Sequence, residues 1–260
     1  MIFIILLIIV FFIIYCNVNF EGFKSSSKIA IYTGNFGNYR NETKNINKIK
    51  KIPNIDYYYF TDNTKNLKSD IWNIHHYPLY KNPLYGNMDK YRYTAKYCKF
   101  NMPDILNKYD YVLYLDLKNS TIKIHNNYIN LESILNLITN NPDTTVFFRQ
   151  HDFYPSDVTS VYDEIERVIR WNKEQSDTAL LWHAKLKKQK WEQSDIFIDS
   201  DLILRKTNNI NLNNILSSIP KELVNNKLTR DQLMIPYILQ KNKHNLNYKI
   251  INKQFSYFYI

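Results

Sequence analysis

The run Tyr109-Asp-Tyr-Val-Leu-Tyr-Leu-Asp116 is apolar, β-branched and aromatic until it stops at an acid and the polar segment Leu117-Lys-Asn-Ser120. A buried parallel strand of this kind delivers a carboxylate to the edge of a sheet. In open α/β sheets ligands bind beyond the carboxyl ends of strands, so Asp116 is a candidate for holding a divalent metal on a phosphorylated substrate. The plainer alternative is an Asp that caps the following turn. A second strand-like run, Asp56-Tyr-Tyr-Tyr-Phe60, also ends in an acid and a turn at Thr61-Asp62-Asn63. Upstream, Lys28-Ile-Ala-Ile-Tyr-Thr33 leads into Gly34-Asn-Phe-Gly37-Asn-Tyr39, which holds two of the chain's four glycines. A first strand feeding a Gly-containing loop is where an α/β fold lets backbone approach a nucleotide closely.

The elements that must position these groups alternate along the chain. Further strands are expected at Ile71-Trp-Asn-Ile74 and at residues 144–148 leading into Arg149-Gln-His151-Asp152, and a strand or hairpin around Asp199-Ser-Asp201 within residues 196–205. Between residues 87 and 100 the pattern turns helical, with Tyr91, Ala95 and Cys98 on one face and Arg92, Lys96 and Lys99 in a stripe on another. Like charges at i,i+4 oppose a helix, and no acid within the stripe offsets them; the stripe is either a site for an external anion or a solvated basic face of a Lys-rich chain. An amphipathic helix follows, with Leu131, Ile134, Leu135 and Ile138 inward. Ser156 is read as the cap of a helix over 157–171, in which Tyr162 is core and Glu164 solvated. Residues 173–191 keep helical spacing, and a last helix starts near Thr229 with Asp231 in its first turn. Strands alternating with helices predict an α/β domain with a mostly parallel central sheet flanked by helices.

Composition bounds the rest. At 260 residues and 45% hydrophobic the chain can bury one core, expected over residues 28–260 as a single domain. The formal charge of +10 is spread without a dense basic tract, an RNP-type motif or paired Cys/His zinc spacing, so nucleic acid is not an expected partner. Two cysteines, Cys16 and Cys98, make no disulfide framework. Residues 1–20 are long and apolar enough to span a bilayer, with neither a basic start nor a clear cleavage site, and read as a single-pass signal-anchor. Residues 21–27 read as a linker. A translocated domain would lie in the secretory pathway; Lys24 and Lys28 argue for the opposite orientation. Asn41-Glu-Thr43 and Asn119-Ser-Thr121 match the glycosylation pattern, which arises readily in an Asn-rich chain.

Taken in order, Tyr32-Thr-Gly-Asn-Phe-Gly-Asn-Tyr39, Tyr59-Phe-Thr-Asp62, Trp72, Met88-Asp-Lys-Tyr-Arg92-Tyr-Thr-Ala-Lys96, residues 109–116, His151 with Tyr162-Asp-Glu164, Leu202-Ile-Leu-Arg205 and Arg230-Asp-Gln-Leu-Met-Ile-Pro-Tyr237 resemble the glycosyltransferase-like domain family of plant mucilage- and pectin-related proteins. That family has the GT-A nucleotide-sugar transferase fold. The resemblance implies a membrane-anchored glycosyltransferase moving a sugar from a nucleotide-diphosphate donor to a hydroxyl of a glycan, protein or lipid. It implies that Thr33 and Gly34 admit base and ribose, that Asp62 accepts hydrogen bonds from the nucleoside, and that Arg92 and Lys96 face the diphosphate. Asp231 would act as general base and Arg230 and Gln232 would position the acceptor. The family's Asp-x-Asp metal pair reads Asp116-Leu117-Lys118 here, so the second acid is missing. Either Asp116 holds manganese or magnesium with water and a ligand such as His151, or Lys118 supplies the positive charge itself. The competing readings are an inactive transferase-like nucleotide-binding module and a metal-assisted hydrolase.

Overall fold

The computed structural model describes residues 27–37, 42–81, 85–192 and 197–252. The expected anchor, the linker up to residue 26, and Asn38, Tyr39 and Asn41 lie outside them. Among the described residues no helix is long and apolar enough to cross a membrane.

Seven strands form one sheet in the order β3-β2-β1-β4-β6-β5-β7. They are β1 (Ile29–Gly34), β2 (Asp56–Thr61), β3 (Asn73–His76), β4 (Tyr111–Leu115), β5 (Val146–Gln150), β6 (Ile198–Lys206) and β7 (Tyr248–Ile251). All pairings are parallel except those of β6, which runs antiparallel to both β4 and β5. The α/β class and the mostly parallel sheet follow the sequence expectation. The central strands β1 and β4 are mostly apolar on both sides because both sheet faces are covered, whereas β5 and β6 carry buried charged residues at the end where the site lies. On one face Ala30, Tyr32, Tyr114 and Phe148 share a core with helices α1 (Lys90–Asn101), α4 (Val161–Arg170), α5 (Ser176–Lys188), α6 (Ile210–Asn225) and α7 (Ile235–Lys241). On the other, Ile29, Ile31, Leu113 and Leu115 pack against α2 (Asn119–Tyr128) and α3 (Leu131–Thr139).

Three local expectations change. Helix α4 begins four residues later than the Ser156 cap predicts, because Ser160 and Asp163 form a reciprocal capping box at its start. Glu164, expected in solvent, is 1% exposed, whereas Tyr162 is the half-buried one. The segment at Asp231 is a short 3-10 turn, Asp231–Leu233, that precedes α7 rather than opening it.

The turn after β1 depends on Gly37, at φ +57°, whose amide donates to Asp62 Oδ1 at 2.8 Å. A Cβ there would lie 2.5 Å from the Tyr91 ring. Gly37→Ala is therefore expected to lower stability by about 1–3 kcal/mol, from left-handed strain and displacement of Tyr91, as read by urea unfolding.

Candidate functional site

The carboxyl ends of β1, β2, β4 and β5 open on the same edge of the sheet, and the antiparallel β6 brings its amino end there too. Between β1 and β2 lies a cleft of about 430 Å³ lined by Asn35, Gly37, Thr61, Asp62, Lys65 and Tyr91, among others. Asp62 thus reaches a cavity large enough for a nucleoside-sized ligand. Thr33 is buried inside β1 opposite Tyr59. Gly34 closes that strand, and the place of its missing Cβ is bounded by Cys98 Sγ and Phe36, each at 3.0 Å. Packing against α1 accounts for glycine at position 34.

Beside the cleft, at the ends of β4, β5 and β6, sits a charged centre. The wall of the cleft is tied to it: Thr43 lines the cleft, and two residues on Asn45 Nδ2 donates to Leu117 O at 2.8 Å. Asp116 continues β4 by donating its amide to Asp201 O at 2.9 Å, and its Oδ1 accepts the Tyr114 hydroxyl at 2.6 Å. Opposite β5, the pairing of β6 jumps from Ile203 with Phe148 to Asp199 with Arg149. The bulge gathers Asp199 and Asp201 around the Arg149 side chain. Arg149 Nε donates to Asp201 Oδ1 and its Nη2 to Asp201 Oδ2, both at 2.8 Å, a two-pronged grip. Arg149 Nη1 holds Asp152 at 2.6 Å. Lys118 Nζ completes the shell at 3.0 Å from Asp201 and 3.5 Å from Asp199, and its side chain stays 34% exposed. Thr121, in the first turn of α2, donates to Asp201 Oδ2 at 2.7 Å, so the hydroxyl of the Asn119 sequon is buried and committed.

The charges fix one another's protonation. Burial pushes both Asp199 and Asp201 upward, yet Lys118 and Arg149 outweigh it and hold both carboxyls below the ordinary range. Burial likewise opposes the Lys118 ammonium, and Asp199, Asp201 and Asp116 override it and raise its pKa. Lys118 is therefore a fixed cation with one side in solvent.

The basic stripe of α1 is compensated internally, not from outside. Lys96 Nζ is 2.6 Å from Asp231 Oδ1 and Lys99 Nζ 2.9 Å from Asp231 Oδ2, and Ser200 donates to Oδ2 at 2.9 Å. Burial raises the Asp231 carboxyl, but the two lysines hold it well below its usual value. Its ionisation is held by these cations. Arg92 lies one turn before Lys96 on the same helix, half-buried. Arg230 Nη2 donates to Gln232 Oε1 at 2.8 Å, and Gln232 Nε2 donates to Asp199 at 3.1 Å, so both expected acceptor residues are wired to the centre.

His151, beyond β5, is 3% exposed among Phe153, Phe197 and Arg167. Burial first, then Arg167 and Arg149, drive its pKa down to about 4 against the pull of Asp199 and Asp152. The imidazole is neutral at pH 7. Folding therefore loses stability as pH falls from about 6.5 toward about 4, where the unfolded chain takes up the proton and the native one resists it. The wild type minus His151→Gln difference in unfolding free energy is expected to change over that window and be flat above it.

A divalent metal does not fit this donor set. The acids next to Asp116 are already neutralised by Lys118 and Arg149, and His151 Nδ1 accepts the Phe153 amide at 3.3 Å. Among the described residues no group of three or more His, Cys, Asp or Glu side chains is placed to hold a metal ion.

Three groups carry the centre without having been singled out in the sequence. Arg149 and the Asp199-Ser-Asp201 pair had a signal, alternating acids in a β run. Glu174 had none; its Oε2 accepts from Thr229 N at 2.7 Å, Thr229 Oγ1 at 2.9 Å and Arg230 N at 3.0 Å, pinning the segment that carries Asp231 and Gln232.

No protein-family model matches the chain, and no curated protein matches it. Among solved structures it is similar to WbbM, described as a bifunctional glycosyltransferase in its apo state, at 12% identity and a TM-score of 0.43. The match covers 87% of this chain and 39% of that one, so the chain spans well under half of that protein's length. That description belongs to WbbM.

Proposed function

We propose that the chain is a glycosyltransferase using a nucleotide-diphosphate sugar, with a hydroxyl of a glycan, protein or lipid as acceptor. The observation that supports it is the juxtaposition, on one sheet edge, of a nucleoside-sized cleft holding Asp62 with a one-third-exposed cation, Lys118, braced by buried carboxylates. In this reading Asp62 borders the base and ribose, with Thr33 and Gly34 forming the buried strand end behind the cleft, and Lys118 meets the diphosphate, while Arg92 and the Asp231-paired Lys96 act from α1 without touching it. Lys118 stands where a metal would otherwise offset the charge that grows on the departing phosphate. Arg230 and Gln232 border the acceptor. Asp231 and His151 are both weak bases, so the acceptor proton leaves late, after the sugar–phosphate bond has begun to break. Membrane anchoring through residues 1–20, and with it a place in the secretory pathway, belongs to the same proposal.

Calorimetry on the detergent-solubilised full chain, titrated with UDP and GDP with and without manganese, is expected to show at least one bound nucleotide. Binding should not require manganese, and Lys118→Ala should weaken it about ten- to a hundredfold, the loss of one charge-assisted contact. Absence of binding by both nucleotides would contradict the proposal.

A second reading is a nucleotide-binding module without turnover. It is favoured by the low basicity of Asp231, whose two oxygens are committed to lysines. It predicts the same binding with neither sugar transfer nor donor hydrolysis.

A further inference from the structure

Helix α5 carries the most exposed pair of large aliphatic side chains among the described residues apart from Ile210: Leu180 is 55% and Leu181 71% exposed. Its inward side is fixed by Thr178, Ala179, Trp182 and Leu186. At 100° per residue the outward side then presents Leu180, Leu181 and Ala184, followed one turn on by Lys187 and Lys188, with Lys185 at its border. Lys190, exposed just beyond the helix, extends the basic end. The one acid of α5, Asp177, is exposed in its first turn, three residues before Leu180 and four before Leu181 and so on the same outward face, at the end opposite the lysines. None of Lys185, Lys187, Lys188 and Lys190 makes an ion pair with a carboxylate among the described residues; Lys185 bonds the Asn226 amide and Lys187 lies over the Tyr162 ring.

We propose that this face of α5 docks on the surface of an anionic lipid bilayer, Leu180 and Leu181 entering the interface and the lysines meeting the headgroups. Apolar side chains projecting beside unpaired lysines combine the two forces that hold a helix in a membrane surface, burial of hydrocarbon and attraction to anionic lipid. The lysine stems can lie along the interface with their ammonium groups in the headgroup layer. A nucleic-acid partner would use the lysines but leave the leucines in water.

The test uses the full chain with Cys16→Ser and Ala184→Cys, so that an environment-sensitive fluorophore sits on the outward face while Cys98 stays buried. Retention on vesicles is not the readout, since the apolar first twenty residues can retain the chain on any of them. Vesicles of phosphatidylcholine with phosphatidylserine are expected to blue-shift the label and expose it to lipid-borne quenchers, and phosphatidylcholine alone is not. Leu180→Gln/Leu181→Gln, both at exposed positions, should abolish the shift with an unchanged far-UV spectrum. Lys187→Gln/Lys188→Gln should lower the ratio of docked to undocked label about thirtyfold, and raised salt should lower it too. A label that stays in water on anionic vesicles overturns the proposal. So does a shift that survives the leucine substitutions, an equal shift on neutral vesicles, or a shift produced by single-stranded RNA and not by vesicles.

Discussion

Asp231→Asn is expected to destabilise the protein by about 3–5 kcal/mol, because it leaves two buried ammonium groups without a counter-charge. Lys96 and Lys99 are 3% and 4% exposed, too enclosed for water to replace the carboxylate. Against a typical total stability of about 5–15 kcal/mol this is a large share, and the midpoint in urea should fall accordingly. Lys96→Met supplies the internal control. It leaves one lysine on one carboxylate, a neutral pair, and should cost much less than Asp231→Asn despite removing the shorter contact. The same carboxylate sets the acid limit. A folded-state pKa well below the ordinary value means that its stabilisation is complete above about 4 and is lost as pH falls through the folded pKa. Asp199 and Asp201 add to the loss in the same direction. Acid unfolding should therefore be less steep in Asp231→Asn than in the wild type.

Arg149→Leu is the second large effect. It removes the fully buried cation that grips Asp201 with two nitrogens, leaving Asp199 and Asp201 with the neutral donors Gln232 and Thr121 and with Lys118 as the cation in contact with them among the described residues. A loss of about 3–5 kcal/mol is expected from the uncompensated carboxylate. Combining it with Asp201→Asn should recover part of that loss, so the double-mutant cycle should show strong coupling between positions 149 and 201. Lys118→Ala differs in kind. Lys118 is one-third exposed, so its removal should disturb folding far less than Arg149→Leu while removing the cation that faces solvent.

Much of the frame was legible because it obeys short-range rules. The strand runs at Ile29–Gly34, Asp56–Thr61 and Tyr111–Leu115 are rich in aliphatic and aromatic residues and, apart from Asp56, buried throughout, as a sheet covered on both faces requires. Asp62 and Lys118 could be placed near that edge from sequence alone. Long-range pairing was not legible. Nothing in Asp199-Ser-Asp201 says that its strand runs antiparallel between β4 and β5, or that a bulge turns its acids onto Arg149. The Lys96 and Lys99 stripe looked like a surface awaiting an anion because its partner, Asp231, is 132 residues from Lys99. Glu164 looked solvated because its burial comes from docking of the helix: Arg167, at 2.8 Å, is only three residues on, but Arg230 and His151, farther off, come from distant segments.

The central claim is that a nucleoside diphosphate bridges the β1/β2 cleft and the Lys118 centre. A crystal structure of the protein with UDP or GDP tests it most directly. The account predicts the nucleoside beside Asp62 and a phosphate oxygen within about 2.7–3.2 Å of Lys118 Nζ. A nucleotide bound elsewhere on the molecule, with Lys118 still closed on Asp199 and Asp201, would contradict it.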